Sequence, residues 1–290
     1  LGTIFRIPGK SPAGKAEHEG KNRIGERFVM EGKLGIRLWG VLNRESPDSI
    51  NYQIAERLLG SIFQLNDTSS GAVACLCSVS KPSISRFCKD LGYQSYYDFR
   101  MDLEKYAISP PTLEKSQNYL QVKETGMVHL YLERCRHYME ELERNINEVE
   151  LAELVHTMAA SSKVYLMGHL QSGSTAKNMQ YNLFEMKKQT TAVLELNQQK
   201  EVFEHLTGKE TILIFSAGGK FFRDYFADGH MPEVPKGVKV YFLTANPEVT
   251  EVKGTTVINC RTGFDMAACN LSLDLMANIL VLKYKNYVES

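Results

Sequence analysis

The stretch VSKPSISRFCKDLG, residues 79–92, decides how the first half of the chain folds. Ile84, Phe87, Cys88 and Leu91 fall at i, i+3, i+4 and i+7, the spacing of one face of a helix. Ser80 stands where a hydroxyl caps a helix starting at Lys81. Pro82 lies in the first turn, where a missing N–H costs nothing. Gly92 is the residue type that ends such a helix. With the apolar face turned inward, Lys81, Ser83, Ser85, Arg86 and Lys89 point outward, and Ser80 sits at the leading end. Hydroxyls and cations on a short helix suit contact with base edges and phosphates in a DNA groove. The same spacing also fits a small helical bundle with an ordinary polar surface.

Outward from this stretch the pattern stays helical. Ile50, Ile54, Leu58 and Ile62 repeat every four residues, which predicts an amphipathic helix. A short helix over residues 69–77 follows, capped by Thr68 or Ser69, and Ser78-Val79-Ser80 forms a tight turn. Phe99, Leu103 and Tyr106 outline a fourth helix. Short helices joined by turns of a few residues predict a small all-α, helix-turn-helix module over residues 41–107. Residues 1–40, rich in Gly, Lys and Glu without a sustained period, are expected to be a disordered basic tail. Ser109-Pro110-Pro111 breaks the helical pattern, and residues 108–126 read as a linker.

Beyond the linker the texture changes. Helices are expected over 128–146 and 149–161. Short β-prone runs then follow at 163–167, 191–196, 211–215, 238–243 and 255–259, with helices between them, clearest at 174–188 and 221–228. Strands alternating with helices imply a parallel sheet covered on both faces. The chain is therefore expected to join an N-terminal all-α helix-turn-helix bundle to an α/β parallel-sheet sandwich over residues 127–290.

Composition narrows the function. Lys plus Arg, 34 in all, balance 34 Asp plus Glu. A protein that coats nucleic acid regardless of sequence is usually basic, so DNA binding here must come from a local surface. The six cysteines are scattered without a Cys-x-x-Cys pair, which argues against a metal site or disulfide framework and for reduced thiols in the cytoplasm. No N-terminal apolar run resembles a signal peptide. The most apolar stretch, residues 266–284, is interrupted by Asn270, Asp274 and Asn278. It reads as a buried or interfacial helix carrying Leu271, Leu275, Ile279 and Leu280, not as a membrane span.

The segment from Val79 to Phe99 closely resembles the RpiR family of bacterial regulators. The family pattern is roughly V-S-x-x-T-I-x-R-F-x-x-x-L-G-(Y/F), followed by an aromatic-rich S-(Y/F)-x-x-F. Here Val79, Ser80, Ile84, Arg86, Phe87, Leu91, Gly92, Tyr93 and Phe99 match it, with Ser83 in place of Thr. The helix before the turn departs from the family at Ser70 and Gly71. The resemblance implies a regulator binding a double-stranded DNA operator through Ser80, Lys81, Ser83, Ser85, Arg86 and Lys89, most simply as a homodimer or higher homo-oligomer.

The α/β half carries a second pair of motifs. The first expected strand runs into Gly168-His169-Leu170-Gln171-Ser172-Gly173-Ser174, and the third ends in Ser216-Ala217-Gly218-Gly219-Lys220. Small residues at a strand-to-helix junction present backbone N–H groups to an anion, although both turns also need glycine for geometry alone. Neither spacing is that of a Rossmann turn or P-loop. The RpiR resemblance implies a sugar isomerase (SIS) domain here, with loops G-x-G-x-S and S-x-S-G-x-T that bind a phosphosugar. It points to Gly168, Ser172, Ser174, Ser216, Gly219 and Lys220 as ligand residues. Leu170, Gly218 and Phe221 depart from the loop patterns.

No catalytic residue, metal or cofactor is expected. A SIS-type sugar-phosphate isomerase is the alternative from another class. Isomerisation through an enediol needs a positioned base and a second proton carrier, and no such pair is evident near either loop. His169 reads as a polar loop residue, and Asp224 with Asp228 as a solvated helix edge. A third reading keeps DNA binding and leaves the SIS domain only to dimerise.

Overall fold

The computed structural model of the protein describes residues 33–62, 65, 67–108, 124–226, 229–263 and 270–290. The expected tail before residue 33, the linker residues 109–123, the start of the helix expected from residue 266, and the side chains of Asp224 and Asp228 lie outside the described residues.

Among the described residues, five helices build the first half: α1 Lys33–Arg44, α2 Ile50–Ser61, α3 Ser70–Leu76, α4 Lys81–Asp90 and α5 Tyr96–Ile108. Residues 33–40 are not part of an irregular tail, as the sequence reading has them. They form most of α1. Gly35 and Gly40 weaken the local helical signal, but Leu34, Leu38 and Val41 at i, i+4 and i+7 are buried, and tertiary packing holds the helix.

Caps explain where the others start. Ser49, Ser69 and Ser80 accept hydrogen bonds from Tyr52 N, Ala72 N and Ser83 N at 3.0, 3.3 and 3.3 Å, each satisfying a first-turn donor. Ser69 rather than Thr68 caps α3, because the Thr68 hydroxyl is spent on Glu104 Oε1 at 2.6 Å. Gly92, at φ +83°, ends α4. Ile54, Leu58 and Ile62 are buried as the spacing requires, whereas Ile50, the first residue of α2, is exposed. The core of this half gathers α1 to α5 around Ile84, Phe87 and Phe99.

The second half opens with α6 Glu124–Asn145 and α7 Glu148–Ala160 and continues as β1 Lys163–Met167, α8 Gln171–Glu185, β2 Thr190–Val193, α9 Leu196–Glu204, β3 Glu210–Phe215, α10 Phe221–Tyr225, β4 Lys239–Thr244, β5 Thr256–Asn259 and α11 Leu271–Glu289. The strands pair in parallel in the order β2-β1-β3-β4-β5. All six residues of β3 are buried, as expected of a central strand with both faces covered.

One face packs Val164, Leu166 and Leu213 on α7, α8 and α11. The other packs Met167, Ile212 and Ile214 on α9, α10 and the segments after them. Several boundaries differ from expectation: Leu196 opens α9 instead of ending β2, α8 spans Gln171–Glu185 instead of 174–188, α6 begins at Glu124 inside the expected linker, and α10 stops at Tyr225 instead of reaching residue 228. The buried stripe of α11 is Leu273, Met276, Ala277, Leu280 and Tyr284. Leu275 and Ile279 are only partly buried, so the stripe is rotated from the one expected. No helix among the described residues is long and apolar enough to cross a membrane.

Candidate functional site

On α4, Ile84, Phe87 and Cys88 are buried while Lys81, Ser85, Arg86 and Lys89 are exposed. Ser80 and Ser83 share a hydrogen bond between their hydroxyls at 2.9 Å, and Arg86 Nη2 donates to Ser83 Oγ at 3.4 Å. Both serines therefore shape the helix start, and the three cations and Ser85 form its solvent face. At Gly71, a departure from the family pattern, a Cβ would stand 3.2 Å from Lys81 Cε, close enough to shift the end of that exposed side chain. The far end of α4 is tied to α1, since Arg37 Nη1 donates to Leu91 O at 2.8 Å and its guanidinium stacks 4.4 Å over the Tyr93 ring.

The chain leaves β1 for β2 on one side and returns to place β3 on the other. The loops after β1 and β3 thus leave neighbouring strands at their carboxyl ends, where open α/β sheets bind ligands. The crevice between them is occupied by the protein itself. His169 stacks on Phe221 with ring centroids 5.0 Å apart, and Phe221 is buried. Burial lowers the imidazole pKa to about 3, so His169 is neutral and brings no charge to an anion.

The six expected ligand residues are placed unequally. Ser172 is buried and donates to Asn270 Oδ1 at 3.0 Å, within a polar network that also joins Thr175 and Asp274 and ties α8 to α11. Ser216 is half-buried and accepts from Lys220 N at 3.1 Å. Gly219 has φ +73°, and a Cβ there would stand 2.4 Å from Val249 Cγ2, so glycine is required by backbone and packing alike. Lys220 is exposed.

Only Gly168 and Ser174 of the six line the cavity that opens on the other side of the β1 loop. It measures about 540 Å³ and is bounded by the β1 loop, α8, the β2–α9 junction and α1. Its polar lining is Asn43, Arg44, Ser174, Lys177, Glu195 and Gln198, with Trp39 as the aromatic wall. The sequence reading missed Trp39, Asn43, Arg44, Lys177, Glu195 and Gln198. For the first three, the signal was the Leu34, Leu38, Val41 spacing. Arg44 Nη1 lies 3.5 Å from Glu195 Oε2. Burial raises the Glu195 pKa and Arg44 opposes that shift.

Leu170 sits on the cavity rim, exposed, at φ 51° and ψ −121°. This backbone region favours glycine, the family's residue at that position, and costs another residue about 1–3 kcal/mol. Leu170→Gly is expected to relieve that strain, less the added freedom of the unfolded chain. The net gain is about 1 kcal/mol, raising the melting temperature of the α/β half by about 2–4 °C. A lowered melting temperature in a thermal scan would show that the leucine side chain contributes more than its backbone costs.

Residues 48–110 match the family described as the helix-turn-helix domain, rpiR family. Comparison with curated proteins gives no match. Among solved structures, the chain is similar to Vibrio vulnificus NanR complexed with ManNAc-6P, at 18% identity over 88% of this chain and 94% of that one, TM-score 0.42. A phosphoheptose isomerase from Francisella tularensis matches at 15% identity over 56% and 98%, TM-score 0.43. The sugar isomerase domain of an RpiR transcription factor from Sphaerobacter thermophilus matches at 14% over 56% and 97%, TM-score 0.34. With the capped α3–turn–α4 geometry in place, residues 48–110 are a helix-turn-helix domain of the rpiR family.

Proposed function

We propose that the protein is a DNA-binding regulator of transcription whose α/β domain responds to a phosphorylated sugar. The observation that carries the first part is the solvent face of α4, with Lys81, Ser85, Arg86 and Lys89 outward in a helix-turn-helix domain. Arg86 reads a base and the lysines hold phosphates, because a guanidinium matches the guanine edge and an ammonium acts as a point charge. Arg86→Ala is expected to weaken specific binding by about 1–3 kcal/mol and to relax preference at one base position. Gel-shift affinities on specific and unrelated duplexes at fixed salt check this. Equal weakening on every duplex makes Arg86 a phosphate contact instead.

The effector reading is supported by a cavity beside the carboxyl end of β1 whose size suits a small metabolite. A sugar phosphate that binds the folded state raises its melting temperature, and a panel read that way tests the proposal. The isomerase alternative gains nothing from His169, which is stacked and buried with a pKa lowered to about 3, too weak a base for enediol chemistry. The regulator is proposed to act as a homodimer in the cytoplasm. The exposed apolar side chains Val128 and Leu132 on α6 and Tyr181 and Phe184 on α8 support association. Cys77, Cys88 and Cys260, buried with thiol pKa values raised to about 11, 12 and 12, suit reduced, unreactive thiols.

A further inference from the structure

We infer that the effector is held between the two domains, with α1 of the DNA-binding half forming one wall of its pocket. This rests on the phosphosugar reading above and says where that ligand sits. The crevice between the β1 and β3 loops is filled by the His169–Phe221 stack, whereas the cavity of about 540 Å³ lies between the β1 loop and α1.

Its lining is chemically mixed in the way a sugar phosphate requires. Trp39 offers an aromatic face to a sugar ring. Glu195, Asn43 and Gln198 offer acceptors and donors to hydroxyls. Arg44 from one domain and Lys177 from the other supply positive charge for the phosphate. A purely apolar ligand would leave these groups unpaired, and a bare anion would leave the indole and amides without a role.

The wall is closely fitted. A Cβ on Gly40 would stand 2.5 Å from Glu195 Oε2, and one on Gly92 would stand 3.3 Å from Asn197 Oδ1. The first residue of that pair lies on α1 and the second follows α4, so the helical domain rests on the start of α9 at two points. Arg44 is the hinge of the arrangement. It faces Glu195 at 3.5 Å, and a phosphate in the cavity competes with that carboxylate for it. The same helix holds Leu91 O, at the end of α4, through Arg37. A ligand that moves α1 therefore moves the reading helix, and occupancy is coupled to DNA affinity through one rigid element.

Trp39 is the chain's single tryptophan, so its fluorescence reports on this wall alone. The full-length protein is titrated with inorganic phosphate, hexose 6-phosphates, pentose 5-phosphates and N-acetylhexosamine 6-phosphates while melting temperature and Trp39 emission are both recorded. The expected result is a sugar phosphate that changes both, and whose binding is weakened about tenfold or more by Arg44→Ala and by Lys177→Ala, each removing a charge-assisted contact. An ester that raises the melting temperature without altering Trp39 emission, and binds Arg44→Ala as tightly as wild type, overturns this placement and leaves the proposed function standing. Inorganic phosphate binding as tightly as every ester overturns the sugar assignment. A panel in which nothing changes the melting temperature overturns the phosphosugar reading and the pocket with it.

Discussion

Replacing Phe87 by alanine is expected to cost the helical domain about 3–5 kcal/mol and to abolish DNA binding at physiological temperature. Phe87 is fully buried on the inward face of α4. Its ring meets Phe99 edge to face, with centroids 6.5 Å apart and planes at 82°, and Phe99 in turn meets Tyr93 at 5.5 Å. The cavity left by truncation would lie beneath α4, where neighbouring rings locked in edge contacts close in only partially. Since small domains are stable by only about 5–15 kcal/mol, the loss is a large fraction of the whole. Circular dichroism melting should show an early transition for the helical half and an unchanged one for the α/β half. Phe87→Leu, which keeps most of the volume, should lose much less. An unchanged early transition in Phe87→Ala would mean that α4 is not anchored by this face.

Leu280→Asp is expected to have an effect of similar size on the other half. Leu280 is fully buried among α7, α8, α11 and the sheet. A carboxylate at that point has no partner. It either stays charged at a cost of several kcal/mol or takes up a proton and leaves polar atoms unsatisfied. Denaturant unfolding should show a midpoint far below wild type, or no folded α/β domain. Asn278→Asp, two residues earlier and exposed, should stay within about 0.5 kcal/mol of wild type. Equal behaviour of the two variants would contradict the burial of α11.

Much of the fold was legible because local signals agreed with one another. At α4 the apolar spacing, the serine cap, the early proline and the closing glycine all indicate the same helix, and its bounds follow. The five strands were legible because β-branched and aromatic runs of strand length alternate with helical segments. Their edges moved by at most one residue, except at β2, which ends three residues early, at Val193 instead of Leu196. At α1 the two glycines broke the local signal, and only packing against α2 and α5 reveals the helix. Ile50 followed the helical period but lies at the exposed first position of α2, before the stripe turns inward. The stripe of α11 was misplaced because apolar residues of several types surround much of the helix, so the sequence alone did not tell the buried face from its flanks.

The candidate site was legible on α4 and only partly so in the α/β half. Local sequence marks a loop after a strand but does not say what fills the space above it. The His169–Phe221 stack joins residues far apart in the chain. So does the wall that brings Arg44 to Glu195. Ser172 suits a phosphate by its position in the β1 loop, yet the structure spends its proton on Asn270. These are tertiary facts, created by the order of strands and by how one domain rests on the other.

We propose that α4 reads DNA sequence. This is tested most directly by selecting bound duplexes from a random pool with the full-length protein, at fixed salt, and sequencing what is retained. The expected result is enrichment of one defined motif by the wild-type protein, and loss of preference at a single base position of that motif with Arg86→Ala. Retention of all duplexes alike by the wild-type protein would contradict it.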